Sequence, residues 1–383
     1  MDKIEHLNIC YHGMLVGKLA SYGRCRTAFQ YDTQWIKNGF SISPLSLPLE
    51  DRVFIADTDP FDGVFGVFND SLPDGWGRLL VDRILLKNGE DPARYGNLNR
   101  LAIVGDSGMG ALTYEPDLHF HTETSLKDLD RINEECQQVL QSKDDSITVF
   151  LDDLFAMGGS SGGVRPKIFT KVDRDDWIIK FPSGYDPADI GKEEYDYAIC
   201  AKKCGIEIPE VRLFSSKKCS GYFGTRRYDR VTRGNGSVAR IHCVTVSGLL
   251  ETSHRIPNLD YDSLMKLVYT LTRDPQELTQ MYKRMCFNVF AHNRDDHSKN
   301  FSLLYDDTRR VWRLTPAYDM TYSCSLGGEH ATMVHGNGSD PGMDDLLAVA
   351  EEAGINKKKA KEIAEEIHEN VEQDLHKYLK RKH

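Results

Sequence analysis

The stretch His292-Asn293-Arg294-Asp295-Asp296-His297-Ser298-Lys299-Asn300-Phe301 decides the fold prediction for this chain. Within it, Asp295 and Asn300 stand five positions apart, and a further aspartate, Asp319, follows after two short apolar segments. Phosphoryl transfer needs a carboxylate that accepts the proton of a substrate hydroxyl, together with two oxygen ligands that hold magnesium against nucleotide phosphates. The three side chains supply that chemistry.

The spacing of these three residues is typical of protein kinases, which place the second aspartate after a short hairpin. Phe301–Tyr305 and Val311–Leu314 are predicted to form that hairpin. The preceding segment, Leu278–Ala291, has apolar residues at helical intervals and predicts a buried helix that supports the loop. We therefore predict a kinase.

Composition limits the other classes of function. The chain has 383 residues, of which 40% are hydrophobic, so it can build a sizeable core. A net charge of -10 argues against direct binding of nucleic acid by the whole surface. Nine cysteines without CxxC pairs, an N-terminus without a secretory pattern and no long apolar stretch predict a cytoplasmic protein with reduced thiols and no membrane span.

A glycine- and serine-rich loop, Met157–Lys167, precedes a short apolar strand that carries Lys180. Such loops let backbone N–H groups approach phosphate oxygens, although this loop alone is weak evidence because it is neither a Walker A loop nor a GxGxxG. A lysine in a buried strand needs an anionic partner, whereas a lysine at a sheet edge would face solvent. The next predicted helix, Ile190–Cys204, begins with Glu193 and Glu194, and either could pair with Lys180.

The N-terminal hundred residues are predicted to be rich in strands. Leu7–Leu19 reads as a hairpin and Trp76–Lys87 as a helix. We interpret Gly105–Gly110 as a hairpin turn, because a strand rather than a helix follows it. Helical character is predicted around Leu126–Leu140 and from Asp344 to the C-terminus.

A metal hydrolase is the competing interpretation of the central stretch, since His292, Asp295, Asp296 and His297 are all competent ligands. Such a centre needs further histidines at ligand spacing, which the sequence does not offer. It would also give Asn300 no role.

Five segments together resemble the HipA family of bacterial toxin kinases: Ser160–Lys167, Ile178–Pro182, Arg227–Arg230, Asn293–Ser302 and Leu314–Asp319. Three segments of the first half are similar to the N-terminal subdomain of that family: Tyr11–Leu19, Phe68–Gly77 and Gly108–Leu112. The resemblance covers nearly the whole chain.

The resemblance implies an α+β, two-lobed protein-kinase-like fold. Residues 1–115 would form a sheet-rich N-terminal subdomain, residues 116–230 a kinase-like N-lobe with the phosphate loop, and residues 231–383 a mostly helical C-lobe. It implies a serine/threonine protein kinase that acts as a toxin, with ATP and Mg²⁺ and a HipB-like DNA-binding antitoxin as partner. DNA would then be contacted only through the antitoxin. Aminoacyl-tRNA synthetases are the protein substrates associated with the family.

The resemblance also implies a role for individual residues. Asp295 would be the catalytic base and Asn300 and Asp319 the magnesium ligands. The remaining nucleotide contacts would come from the phosphate loop, the strand lysine, the adenine hinge and the rim of the nucleotide site: Gly162, Gly163, Val164, Arg165, Pro166, Lys167, Lys180, Arg226, Arg227, Tyr228, His297, Lys299 and Tyr318.

Three points stay open in the sequence. Asp296 adjoins Asp295, and only the five-residue step to Asn300 favours Asp295. Family members inactivate themselves by phosphorylating a serine in the glycine-rich loop, which here is Ser161 or Ser160. The other class of function is a catalytically silent, kinase-like partner in an antitoxin–repressor complex, although such a protein would not need the complete set of catalytic side chains.

Overall fold

The computed structural model describes residues 4–118, 128–141, 150–234, 236–325 and 327–380. These residues divide into two compact units. The first unit contains the described residues of Met1–Gly191, Phe214–Val244 and Gly248–Thr252, and the second those of Lys192–Leu213, Thr245–Ser247 and Ser253–His383. The domain boundaries derived from the sequence remain a prediction.

The strands, in chain order, are β1 (His6–Tyr11), β2 (Met14–Tyr22), β3 (Arg26–Tyr31), β4 (Val53–Ile55), β5 (Leu112–Glu115), β6 (Lys167–Val172), β7 (Asp175–Lys180), β8 (Val211–Phe214), β9 (Tyr222–Arg226), β10 (Arg230–Thr232), β11 (Val238–Arg240), β12 (Cys243–Thr245), β13 (Leu259–Asp260), β14 (Ser302–Asp306), β15 (Val311–Leu314) and β16 (Thr332–Met333).

The helices are α1 (Thr33–Asn38), α2 (Gly66–Asn69), α3 (Gly75–Lys87), α4 (Asn97–Val104), α5 (Leu129–Gln141), α6 (Leu151–Gly158), α7 (Ile190–Lys203), α8 (Val246–Leu250), α9 (Tyr261–Thr272), α10 (Pro275–Phe290), α11 (Met343–Glu352) and α12 (Lys357–Leu379). Single 3₁₀ turns occur at Pro92–Arg94 and Ser298–Asn300. No helix among the described residues is long and apolar enough to cross a membrane.

The N-terminal sheet of the first unit has the strand order β4-β3-β2-β1-β5. The predicted hairpin is confirmed: β1 pairs antiparallel with β2, and the turn residues His12 and Gly13 both have positive φ. Leu7, Ile9 and Leu19 are fully buried. Because alternate residues of a strand point to the same side, they share one face of the sheet, and this face is the buried one.

The sequence predicted a hairpin turn at Gly105–Gly110. This prediction is wrong, because the segment joins helix α4 to strand β5. The helix escaped detection because it has only eight residues and because two of its buried residues, Asn99 and Arg100, are polar. Buried polar residues interrupt the apolar stripe that reveals helical periodicity in a sequence.

The other sheet of the first unit places β7 between β6 and β9, antiparallel to both. The predicted strand with Lys180 is therefore confirmed, as are the helices α3 and α7. The helix predicted around Leu126–Leu140 is α5, although Leu126 itself lies outside the described residues. Apolar residues from α3, α5, α6 and this sheet share one core, which includes Trp76, Leu80, Ile132, Val139, Leu154, Phe155, Ile168, Ile179 and Phe181.

The second unit is mostly helical, as predicted. Helix α10 begins with Pro275 after the N-cap Asp274, whose side chain accepts a hydrogen bond from the Gln276 N–H. Its predicted apolar stripe is buried from Leu278 to Val289. The predicted hairpin is also confirmed, since β14 pairs antiparallel with β15.

Candidate active site

The predicted site residues belong to both units. The glycine-rich loop, Lys180 and Arg226–Tyr228 lie in the first unit, whereas the segment 292–300, here called the catalytic loop, lies with Tyr318 and Asp319 in the second. Each group is supported by its own unit.

The catalytic loop starts where α10 ends. Ala291 caps the helix, and its carbonyl oxygen accepts a hydrogen bond of 3.2 Å from the buried Tyr197 hydroxyl. His292 then has a φ of 52°, in the left-handed region that residues other than glycine rarely adopt. The chain therefore leaves the helix abruptly at a defined position.

The segment that follows Asp319 binds the backbone of the catalytic loop. The Ser323 N–H donates to the His292 carbonyl (3.0 Å), and the Arg294 N–H donates to the Ser323 carbonyl (3.1 Å). The Ala331 N–H donates to the Arg294 carbonyl (3.1 Å). Two parts of one segment thus hold the loop by backbone hydrogen bonds, which do not depend on side-chain rotamers.

Asp296 is fully buried, and both of its carboxylate oxygens are occupied. Oδ2 lies 2.9 Å from the Tyr261 hydroxyl and 3.0 Å from His330 Nδ1, and Oδ1 accepts from the Thr332 N–H at 3.1 Å. Burial, and next the charge of Asp296, raise the pKa of Tyr261 well above its ordinary value, so its hydroxyl keeps the proton that it donates. Asp296 is part of the loop's support.

Asp295 has the opposite environment. Its side chain is 61% exposed, and Oδ1 lies 3.9 Å from Nε2 of His297. The Asn300 side-chain amide donates to the Asp295 carbonyl oxygen at 2.6 Å, which ties the two residues together through the backbone. Of the two adjacent aspartates, Asp295 is therefore the one that a substrate hydroxyl can reach, which supports its predicted role as the base.

Asn300 and Asp319 offer oxygen atoms suited to magnesium, which prefers such ligands. Because Nδ2 of Asn300 donates to Asp295, Oδ1 of the same amide faces away from that bond. Asp319 has a φ of 53°. Residues held in this sparsely populated region cluster at ligand-binding positions, so the conformation supports the prediction for Asp319.

Tyr318 and Lys299, both predicted nucleotide contacts, are joined to each other. The Tyr318 hydroxyl donates to the Lys299 carbonyl oxygen at 2.8 Å and lies 2.5 Å from the Ser302 hydroxyl. His297 has a ring contact with His254, with centroids 5.3 Å apart. Sequence reasoning missed His254, because no local pattern links it to the catalytic loop.

In the first unit, the glycine-rich loop buries one of its two candidate serines. Ser161 is fully buried, and its hydroxyl donates to the Gly158 carbonyl at 2.6 Å. Ser160 is half-buried and donates to the Ser107 carbonyl at 3.1 Å. The two serines therefore differ in environment, but the modified one remains unassigned.

The loop rests on the N-terminal turn of α3. The Trp76 N–H donates to the Gly163 carbonyl at 2.9 Å, and the Asp74 carboxylate accepts from the Gly163 N–H. A Cβ atom on Gly77 would lie 2.2 Å from the Ser161 carbonyl oxygen, so only glycine permits this approach. The support of the loop by the Asp74–Gly77 segment was not predicted from the sequence, because the two segments are far apart in the chain.

Two predicted phosphate-binding lysines are neighbours in the sheet, since Lys167 lies directly opposite Lys180. Like charges directly opposite each other in a sheet are destabilising, and an anion placed between them relieves the repulsion. The Lys167 ammonium group also donates to the Gly162 carbonyl at 2.6 Å, and that of Lys180 lies 5.6 Å from the ring centroid of Phe223.

Arg165, also a predicted phosphate ligand, forms a bidentate ion pair with Asp186, with two distances of 3.1 Å. Burial opposes ionisation of Asp186, but hydrogen bonds from Ser183 and the charge of Arg165 outweigh it and lower the pKa of Asp186. Val164, between the glycines and Arg165, is 80% exposed. The exposed stretch Gly162–Val164 therefore lies between the buried Ser161 and the ion-paired Arg165.

The predicted adenine hinge starts at Arg226, the last residue of β9. Arg226 forms a 2.8 Å ion pair with Asp175, and the buried Arg227 binds Asp229 through two nitrogens. Burial opposes ionisation of Asp229, but the charges of Arg227 and its neighbour Arg230 outweigh it and lower the pKa of Asp229 to about 2. The Arg227 guanidinium is thus committed to a structural ion pair.

The alternative of a metal hydrolase finds no support in the described ranges. Within them, one group of three carboxylate or imidazole side chains lies close enough to share an ion: Asp262, His335 and Glu352. None of the four candidate ligands in the catalytic loop belongs to it. Glu193 and Glu194, the candidate partners of Lys180, are both buried, and the choice between them stays open.

Two protein-family models match this chain. Residues 159–375 match the HipA-like C-terminal domain, and residues 7–115 match the HipA N-terminal domain. Two proteins of Sinorhizobium fredii, named "Putative kinase Y4dM" and "Putative kinase Y4mE", are 24% and 25% identical. The alignments cover 84% and 83% of this chain and 78% and 77% of those proteins.

Among solved structures, HipA of Shewanella oneidensis MR-1, in a complex with HipB and its operator DNA, has the same fold. The TM-score is 0.70 at 18% identity, and the match covers 97% of this chain and 90% of that one. The predicted kinase-like α+β fold is thereby confirmed. Because a single family model matches more than half of the chain, the protein belongs to the HipA family.

Proposed function

We propose that the protein is an ATP-dependent serine/threonine protein kinase that acts as the toxin of a toxin–antitoxin pair. The observation that carries the proposal is the contrast between Asp295 and Asp296. One carboxylate is exposed beside Asn300, while its neighbour is buried with both oxygens bound. A loop that is held this firmly and presents a single carboxylate suits a positioned catalytic base.

In this mechanism Asp295 accepts the proton of a serine or threonine hydroxyl and orients the oxygen toward the γ-phosphorus of ATP. Lys180, Lys167 and the backbone N–H groups of Gly162–Lys167 bind the phosphates and stabilise the charge that develops during transfer. The segment Arg226–Tyr228 binds the adenine without the Arg227 guanidinium, which pairs with Asp229. His297, Lys299 and Tyr318 line the nucleotide site.

Asn300 and Asp319 would hold Mg²⁺. Bound there, the ion would supply positive charge that neutralises the phosphate oxygens. The Asn300 amide fits this use, because its nitrogen is engaged with the Asp295 carbonyl and its oxygen remains for a cation. The same hydrogen bond couples the position of a magnesium ligand to that of the base.

Self-inactivation by phosphorylation of Ser161 or Ser160 forms part of the proposal. Ser161 is fully buried against Gly158, so its phosphorylation requires the loop to leave the N-terminal turn of α3. We propose a HipB-like, DNA-binding antitoxin as partner and a cytoplasmic location, with DNA contacted only through the antitoxin. The similarity to HipA in its complex with HipB and DNA supports the choice of partner. The proposed substrate is a protein hydroxyl, and aminoacyl-tRNA synthetases are the first substrates to test.

The experiment is intact-mass spectrometry of the purified chain before and after incubation with ATP and Mg²⁺, beside the Asp295→Asn variant. We expect the wild type alone to gain one phosphate, mapped to Ser160 or Ser161. A chain that starts unmodified, binds ATP and gains nothing, either on itself or on an added protein substrate, would instead be a catalytically silent partner of an antitoxin.

A further inference from the structure

The mechanism above uses Asp295 but leaves Asp296 without a chemical role. A buried carboxylate is costly unless it is fully hydrogen-bonded, so its presence beside the base requires an explanation. Asp296 has a complete set of partners: the Tyr261 hydroxyl, His330 Nδ1 and the Thr332 N–H.

We infer that Asp296 and His330 are positioning residues, which together set the place of Asp295 and couple it to the segment that carries Asp319. This inference rests on the proposed function, because Asp295 acts there as the base. Neither residue touches the transferred group. Each acts through the backbone of the catalytic loop.

The contacts of Asp296 require a carboxylate. All three partners aim donor groups at its two oxygens, and a carboxylate only accepts hydrogen bonds. An asparagine would turn an NH₂ group toward either the Thr332 N–H or the pair formed by Tyr261 and His330. One donor would then face another in a buried site, which displaces the loop.

The partners also come from separate parts of the second unit. Tyr261 starts α9, and its hydroxyl accepts from the side chain of Asn288 in α10 at 2.9 Å. Asn288 in turn accepts from Asn293 of the catalytic loop at 2.9 Å. One chain of buried hydrogen bonds therefore joins α9 and α10 to two residues of the catalytic loop, Asn293 before Asp295 and Asp296 after it.

His330 brings in the segment after Asp319. Its side chain is 2% exposed, and it lies between Ala331, which donates to the Arg294 carbonyl, and Gly328, whose carbonyl oxygen accepts from the Arg294 side chain. The Thr332 hydroxyl also donates to the Asp296 carbonyl at 2.5 Å. Five residues that follow the proposed magnesium ligand Asp319 are thus bound to the loop that carries the base: Ser323, Gly328, His330, Ala331 and Thr332.

The test compares Asp296→Asn with Glu277→Gln in the full-length protein. Glu277 is a matched control because it is a buried carboxylate of the same unit, with a cationic partner, Arg313 (3.0 Å), and a backbone donor, Leu314 (3.3 Å). We expect Asp296→Asn to lower kcat about a hundredfold, since an error of about 1 Å in position has that effect, while the Kd for ATP changes less than about threefold. Glu277→Gln should retain the wild-type kcat even if it lowers Tm as much.

Two further measurements keep the inference testable if Asp296→Asn folds poorly. His330→Asn keeps an N–H donor near the position of Nδ1 and should retain more activity than His330→Ala. Hydrogen exchange should quicken at the Arg294, Ala331 and Thr332 amides in His330→Ala, while the amides of α10 stay protected.

Equal kcat values for Asp296→Asn and the wild type, or equal losses in Asp296→Asn and Glu277→Gln, would overturn the inference. If the wild type itself transfers no phosphate, the proposed kinase function fails. Hydrogen exchange then decides the positioning claim alone: faster exchange at the three amides supports it, and unchanged exchange refutes it.

Discussion

The glycine-rich loop and the catalytic loop are held in different ways. The catalytic loop is joined to its neighbours by backbone hydrogen bonds and by the buried carboxylate of Asp296. The glycine-rich loop has the buried Ser161 and one backbone hydrogen bond from Trp76 to Gly163. Its other contacts lie near solvent: Asp74 accepts from Gly163, Asp186 pairs with Arg165, and Val164 is 80% exposed. Buried contacts resist displacement more strongly than exposed ones.

The difference corresponds to what each loop must do in the proposed mechanism. A catalytic base has to stay within a fraction of an ångström of its productive position. The glycine-rich loop has to bind a nucleotide and also release Ser161, which is fully buried. We therefore expect substitutions in the catalytic loop to change kcat and substitutions in the glycine-rich loop to change nucleotide affinity.

The largest effect is expected from Asp295→Asn. Loss of the proton acceptor should lower phosphate transfer about a thousandfold, within the range seen for general bases. Because the side chain is 61% exposed, Tm and ATP affinity should stay as in the wild type. Transfer of radiolabelled phosphate and a thermal melt check both points, and near-normal turnover would remove Asp295 from the site.

A phosphate on Ser161 should have the next largest effect. The modification adds a charge of about -1.5 to -2, and a fully buried position beside Gly158 would deprive that charge of water. The loop must therefore move. We expect at least about a tenfold loss of ATP affinity, measured by calorimetry on separated phosphorylated and unphosphorylated protein. If Ser161 is the phosphorylated residue, the Ser160→Ala variant should still lose ATP affinity on phosphorylation. Equal ATP affinities of phosphorylated and unphosphorylated protein would contradict the prediction.

Asp74→Ala should weaken nucleotide binding more modestly. It removes the charged acceptor of the Gly163 N–H, a bond worth about 1 kcal/mol, so KM for ATP should rise about fivefold with kcat unchanged. Asp91→Ala is the control, because Asp91 also directly precedes a helical turn of the first unit, but its carboxylate accepts from the Ala93 N–H and not from the glycine-rich loop. A fall in kcat without a change in KM would break the contrast between the two loops.

The smallest effect concerns pH. The pKa of Asp186 is lowered in the folded protein, so its ion pair with Arg165 stabilises the fold above the ordinary aspartate pKa of about 4 and is lost as pH falls through the lowered value. At pH 7 the free energy of unfolding of the wild type should exceed that of Asp186→Asn by about 1 kcal/mol or less, since the pair is partly exposed. Thermal melts of both proteins at neutral and at strongly acidic pH should show that this difference in stability shrinks in acid. A difference that stays constant would argue against the ion pair.

Much of this architecture was predictable from local patterns. The stripe of α10, the β14–β15 hairpin and the strand with Lys180 each have a periodicity that a short window of sequence contains. Helix α4 was not predictable in this way, because it is short and its buried residues include the polar side chains of Asn99 and Arg100. The support of the glycine-rich loop by Asp74 and Trp76 was equally invisible, since the partners are far apart in the chain.

The sequence by itself determined the family, the order of the motifs and the set of candidate residues, because spacing along the chain is a local property. Only the tertiary structure decided that Asp295 is exposed while Asp296 is buried. The physical reason is that the groups that bind Asp296, from Tyr261, His330 and Thr332, come from distant parts of the chain. Two identical adjacent side chains therefore acquire different environments through packing.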